Sequence, residues 1–358
     1  MDADFRDACI KTRGRLIFRG FHAPLQPARD ERGTNDTMRK SFVFLGLCLP
    51  LATLLAAGVA VAQKSALPWW AYPVTDQKFP APDPAAVGRL PGSKITFTRA
   101  QVNDRFHAPD WYPASHPKMP DIVANGRKPN VFACGYCHLP NGQGRPENAS
   151  VAGQPAAYIV QQVADMRSGA RKSSSDKMGS INAMMAVAKA SNDAEVKIAA
   201  DYFSRLKYQK WIRVVETDMV PKIAVGDRNM LRVISSTREP IGKRILEVPE
   251  NLERTEWRDS KSGFIAYVPK GSVARGKKLV ESGASAFPCA ACHGPEYKGN
   301  GAVPALAGRS PSQIVRQLYD FKAGTRNGAN AAMMKPEVAH MNDDMRIDIA
   351  AYLASLNP

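Results

Sequence analysis

Two pentapeptides of one form, Cys134-Gly-Tyr-Cys137-His138 and Cys289-Ala-Ala-Cys292-His293, each put two thiols and an imidazole on a short turn of chain. Thiols at this spacing can add across the two vinyl groups of one porphyrin. The adjoining imidazole then lies under the metal as its proximal ligand, the pattern of covalent c-type haem attachment. Two copies predict two haems c, held by Cys134 and Cys137 with His138, and by Cys289 and Cys292 with His293. A zinc site and a thioredoxin-like redox pair are the other readings of Cys-x-x-Cys. Zinc fits poorly, because the pairs stand about 150 residues apart and each has its own histidine and downstream methionines. A redox disulfide would have no need of the histidine.

The sixth iron ligand decides between an open site for chemistry and a closed site for electron transfer, and methionine closure raises the potential. The first copy offers Met178, Met184 and Met185; the second offers Met333, Met334, Met341 and Met345. Register selects one from each set. Met184 lies nine residues before Asp193 and eighteen before Tyr202, and Met334 stands in the same relation to Asp343 and Tyr352. Met185 and Met333 are the next choices, and His340 follows in the second copy. The remaining methionines are expected to fill cores. His107 and His116 precede the first motif, and structural roles are expected for them.

The elements that must position these groups are themselves duplicated. At an offset of 155 residues, Ala152-Gly153 falls on Ala307-Gly308, Ile159-Val160 on Ile314-Val315, Gln162 on Gln317, Asp165 on Asp320 and Arg171 on Arg326. Beyond them the offset is 150, so the first copy carries five extra residues. Apolar residues recurring at three and four positions predict helices over 155–168 and 311–323, each stopped by a glycine. Asn/Asp pairs suited to N-capping open further helices over 193–206 and 343–356. A leading helix is expected at 273–282, with a short counterpart at 120–125. Arg167, Arg171, Lys322 and Arg326 are expected, as helix-end cations, to favour the dipole or stay solvated, with a place near haem propionates as the alternative.

Two stretches lie outside the repeat. Residues 63–117 are rich in Pro and aromatics and read as an ordered wrap. Between the copies, 211–271 carries short strand patterns at 222–225, 230–234, 244–248 and 264–268, a small β insertion. Its expected role is to fix the copies relative to each other, with partner docking as the alternative. The copies themselves take 118–210 and 272–358.

At the N-terminus, Met38-Arg39-Lys40 opens a basic segment followed by an apolar run and Ala60-Val61-Ala62, the form of a cleaved secretory signal at 38–62. Residues 1–37 read as an upstream extension or a misassigned start. Export to the periplasm is expected, with an uncleaved membrane anchor facing the periplasm as the alternative. Cleavage removes Cys9 and Cys48 and leaves only the four motif cysteines, as suits an oxidising compartment. The leader carries nine Lys/Arg and six Asp/Glu, so 40 basic and 27 acidic residues remain, an excess of +13. Such a charge suits partners with acidic docking faces. Dispersed charge and the lack of any nucleic-acid-binding motif argue against DNA or RNA.

The repeated Cys-x-x-Cys-His, Ala-Gly, Ile-Val-x-Gln, Met, Asp and Ala-x-Tyr positions resemble the dihaem class I cytochromes c of the cytochrome c4 type. The likeness covers both copies but not the wrap or the insertion. It implies a mainly α fold of two tandem class I cytochrome c domains, with a Pro/aromatic N-terminal wrap and a small β-containing insertion beside them. It also implies His/Met iron: His138 with Met184, and His293 with Met334. Members of the family carry electrons in the periplasm towards a terminal oxidase or from a dehydrogenase, so a membrane-bound oxidase or dehydrogenase is an expected associate. The family often places proline before Leu-Ala-Gly, its carbonyl accepting from the proximal histidine. The second copy keeps Pro304 there; the first has Ala149, whose carbonyl can do the same.

A relay of single electrons, with no catalytic residue, is therefore the expected function. A dihaem peroxidase-like enzyme is an alternative that needs one displaceable ligand. Another is a cytochrome subunit of an exported dehydrogenase complex.

Overall fold

The computed structural model describes residues 66–282 and 287–358. The leader, with its expected signal at 38–62, lies outside them. The described residues belong to one structural unit.

In chain order the wrap contributes β1 (Val87–Arg89), β2 (Thr96–Thr98) and α1 (Arg99–Asn103). The first copy follows with α2 (Asp121–Ala124), α3 (Cys134–His138), α4 (Ala156–Ser168), α5 (Gly179–Ala190) and α6 (Asp193–Ser204). The segment between the copies holds β3 (Ile212–Glu216), β4 (Met219–Val225), β5 (Leu231–Pro240), β6 (Leu246–Pro249), α7 (Leu252–Glu256) and β7 (Phe264–Val268). The second copy has α8 (Ser272–Ser282), α9 (Ala290–His293), α10 (Pro311–Lys322), α11 (Lys335–Ala339) and α12 (Asp343–Ser355).

Local chemistry explains the ends of the repeated helices. Asn192 accepts from Glu195 N and its own N–H is capped by the Glu195 carboxylate, so α6 starts on a reciprocal box. Asn342 accepts from Met345 N at the start of α12. Gly169 ends α4 at φ 78°, a left-handed position that costs glycine no Cβ clash. Helix α5 went unforeseen: its Ala- and Met-rich segment favours helix, but it follows a Ser-rich stretch with no capping signal.

The sheet order is β3-β7-β6, with β3 parallel and β6 antiparallel to β7, and β4 and β5 form a separate antiparallel hairpin. Buried Trp211, Ile212, Phe264 and Ala266 join the first copy's core, whereas Leu246, Val248 and Val268 join the second's. One small sheet is thus wedged into both cores. The wrap likewise divides its contacts. Trp70 and Tyr72 enter the second copy's core, where the Tyr72 hydroxyl donates to Asp320 Oδ1 at 2.9 Å. Trp111 stands edge-on to Phe97 and Trp257, and its Nε1 donates to the Trp257 carbonyl at 2.7 Å. No described helix is long and apolar enough to cross a membrane.

Candidate haem sites

Each motif is a single turn that brings its side chains to one place. Helix α3 carries Cys134, Cys137 and His138, and α9 follows directly on Cys289, with His293 N donating to the Cys289 carbonyl at 2.9 Å. All four thiols are free. Burial pushes Cys134 up to about 12 and Cys289 up to about 11. A redox pair needs the opposite shift, towards thiolate. No group of three or more His, Cys, Asp or Glu gathers as a metal cluster among the described residues, so the two motifs do not combine into a zinc site.

Both imidazoles are oriented alike. His138 Nδ1 donates to the Ala149 carbonyl at 2.7 Å and His293 Nδ1 to the Pro304 carbonyl at 2.8 Å. The first copy therefore makes this bond without proline. A donor hydrogen on Nδ1 leaves Nε2 as the basic nitrogen of a neutral ring, the form that ligates metals. Burial pushes both rings below the ordinary histidine value, the carbonyl bond opposes it, and a nearby guanidinium, Arg171 or Arg326, adds to the lowering.

The methionines separate more clearly in one copy than in the other. Met334 is half-buried against the second copy's core, while Met333 is 58% exposed and His340 is exposed. On α5, Met184 and Met185 are both half-buried against Val163, Met166 and Val196. Met178 and Met341 are core residues. His116 binds Asp110 at 3.1 Å and meets the Tyr202 hydroxyl, while His107 Nδ1 lies 3.3 Å from Asn125 Oδ1, so both are tied into the wrap's packing.

A cytochrome c family profile matches residues 273–357. Cytochrome c-554(547) of Halothiobacillus neapolitanus is 32% identical over 94 residues, which span 24% of this chain and 98% of that protein. The chain belongs to the cytochrome c family. Cytochrome c4 of Azotobacter vinelandii is 24% identical across 63% of this chain and 84% of its own length. A protein of Stutzerimonas stutzeri described as a thiosulfate dehydrogenase electron acceptor is 26% identical across 64% of this chain and 82% of its own. The chain is thus similar to the dihaem cytochromes c4 along most of its length, and its two motifs imply two covalently bound haems c.

The residues present fit that cofactor: two free thiols on one turn, followed by an imidazole whose Nδ1 is already engaged, occur twice, with His293 buried and His138 half-buried. The two cytochrome copies meet through reciprocal contacts of matched residues. Ala170 and Thr325 carbonyls accept from Asn327 N at 2.7 Å and Lys172 N at 2.8 Å, so that Arg171 and Arg326 face each other as a β-bridge. Gln162 Oε1 accepts from Arg171 at 2.9 Å and Arg326 at 2.8 Å, while Gln317 Oε1 accepts from both at 3.0 Å.

These two arginines correct the expectation of solvated helix-end cations: both are buried, because the copies stack their matched turns against each other. Arg167 and Lys322 are likewise engaged, donating to the Ala188 and Ser191 carbonyls and to the Met341 carbonyl. A second reciprocal contact uses matched positions 154 and 309. Gln154 exchanges two 3.0 Å hydrogen bonds with the Ala305 backbone, and Arg309 donates to the Ser150 and Ala152 carbonyls at 3.1 and 2.9 Å. Each reaches the partner copy's loop beside the carbonyl that orients its histidine. Sequence reading passed over both residues, although their place after the matched Ala-Gly was a usable signal.

Proposed function

We propose that this chain is an exported periplasmic relay, passing single electrons between a donor dehydrogenase or respiratory complex and an acceptor such as a terminal oxidase. Cys134, Cys137, His138 and Met184 hold one haem, and Cys289, Cys292, His293 and Met334 the other. The observation that carries the assignment is the pair of imidazoles, His293 buried and His138 half-buried, each with Nδ1 committed to a carbonyl and, among the described residues, no hydrogen bond to Nε2. Bound haem c supplies a one-electron iron centre at each site.

The protein's part is to hold these groups still. The Ala149 and Pro304 carbonyls fix the ring orientation and raise ligand basicity. Apolar side chains pack against the half-buried Met184 and Met334 and hold them in place. The reciprocal contacts at 154 and 309 keep the two sites in register. The +13 excess of the mature chain steers it to acidic docking faces, an attraction that weakens with salt. The relative described as an electron acceptor of thiosulfate dehydrogenase supports a second reading, in which the donor is a dehydrogenase that docks the cytochrome as a subunit.

The test is the haemochrome spectrum of the secreted protein together with the near-infrared sulfur-to-iron band. Two haems per chain are expected, with the band halved in Met184→His and again in Met334→His. A band that survives in Met184→His but is halved in Met185→His would move the ligand by one residue. A single haem per chain would end the proposal.

A further inference from the structure

We propose that Arg258 and Arg309 set the two haems apart in potential, holding the site at Cys134, Cys137 and His138 above the site at Cys289, Cys292 and His293; this rests on the haem assignment proposed above.

Arg258 comes from the insertion, just after α7. It is 2% exposed, its guanidinium lies 3.6 Å from the centre of the Tyr136 ring, and Nη1 donates to the Tyr136 carbonyl at 2.7 Å. Tyr136 stands between the two cysteines of the first motif, so a buried cation is fastened to that motif. Arg309, 6% exposed, stacks 4.0 Å from the Tyr208 ring centre and donates to Ser150 and Ala152 carbonyls, beside the Ala149 carbonyl that orients His138. Neither makes an ion pair with a carboxylate among the described residues. The buried Arg145 nearby is matched by Glu147 at 3.0 Å and the exposed Arg228 by Asp227 at 3.4 Å, while the exposed Arg105 adds positive charge near Cys137.

The second copy lacks both devices. Ala291 occupies the place of Tyr136, Gln154 is the neutral counterpart of Arg309, and Asn300 matches Arg145. Its Cys292 is exposed, whereas both cysteines of the first motif are half-buried. A carboxylate acts on the first cysteine of each motif, Glu195 on Cys134 and Glu337 on Cys289, and does not distinguish the two. Arg171 acts on His138 and Arg326 on His293 in the same direction, so this matched pair does not distinguish the copies.

An oxidised haem carries one more positive charge than a reduced one. Buried guanidinium groups, weakly hydrated and poorly screened, disfavour that form and raise the potential; water around the second motif favours it. The first copy's site therefore fills first, and electrons move from the second copy to the first.

Spectroelectrochemical titration, with NMR signals assigned to each Cys-x-x-Cys-His loop, reads the order directly. In the unaltered protein the first copy's haem is expected to capture an electron at least about tenfold more strongly, or 59 mV. Arg258→Gln and Arg309→Gln should each lower that haem alone by about the same factor. Arg258→Lys should restore it, and Gln154→Arg should raise the second haem. Reduction of the second copy first in the unaltered protein, or equal shifts of both haems in the Gln variants, overturns the proposal. A single haem per chain would overturn the assignment beneath it as well.

Discussion

The two copies carry the same motif in different frames. In the second, α8 crosses α12 closely enough that a Cβ at Gly276 would sit 1.9 Å from the Asp348 carbonyl oxygen, and Arg275 closes the crossing with a bidentate bond to Asp348 at 2.8 and 2.9 Å. The first copy has only the four-residue α2 in that place. Its deficit is covered from outside: Trp211 and Phe264 of the insertion complete the core, and the wrap packs on the copy through Ala108 and His116, with Trp111 tying the wrap to Trp257 of the insertion. A duplicated unit can thus keep its ligand geometry while handing its support to segments that arose elsewhere in the chain.

The comparison can be broken most severely at Trp111. Trp111→Ala removes two edge-to-face contacts and a buried donor, at an expected cost of about 4 kcal/mol. Urea unfolding should show that loss, with the first copy's haem signals disturbed before the second's. Equal disturbance of both copies would count against the wrap as the first copy's support.

Gly276→Ala tests the other frame. Forcing a methyl group into the Asp348 backbone should cost about 3 kcal/mol and disturb the second copy's signals first.

The smallest effect concerns His116. Burial disfavours its charged form, but the bonds to Asp110 and to the Pro117 carbonyl outweigh it and hold the ring above the ordinary histidine value. Because the folded value is raised, the stabilisation is complete below the ordinary value and fades as pH rises through the raised one. The unfolding midpoint should therefore fall over that range, and His116→Gln should flatten it.

Much of the candidate site was legible because its chemistry is local. The spacing within each Cys-x-x-Cys-His needs one helical turn, and the methionine register could be read against Asp193 and Asp343 without knowing how the chain folds. The repeated helices were legible from apolar periodicity and Asn caps, and appear as α4, α6, α10 and α12 within a few residues of their expected ends. Strand β3 was missed because its one-sided pattern, Ile-Arg-Val-Val-Glu, follows directly on Trp211 without a turn signal. Arg258 could not be found at all from sequence, since nothing near it in the chain points to Tyr136.

The sequence alone determined the kind of cofactor, the number of sites and the repeated frame, because thioether spacing, caps and helical periodicity act over a few residues. Only the tertiary structure decided which arginines are buried between or beside the sites. That depends on surfaces about 120–160 residues apart meeting and excluding water, and burial is what turns an ordinary surface cation into a charge able to distinguish two otherwise matched sites.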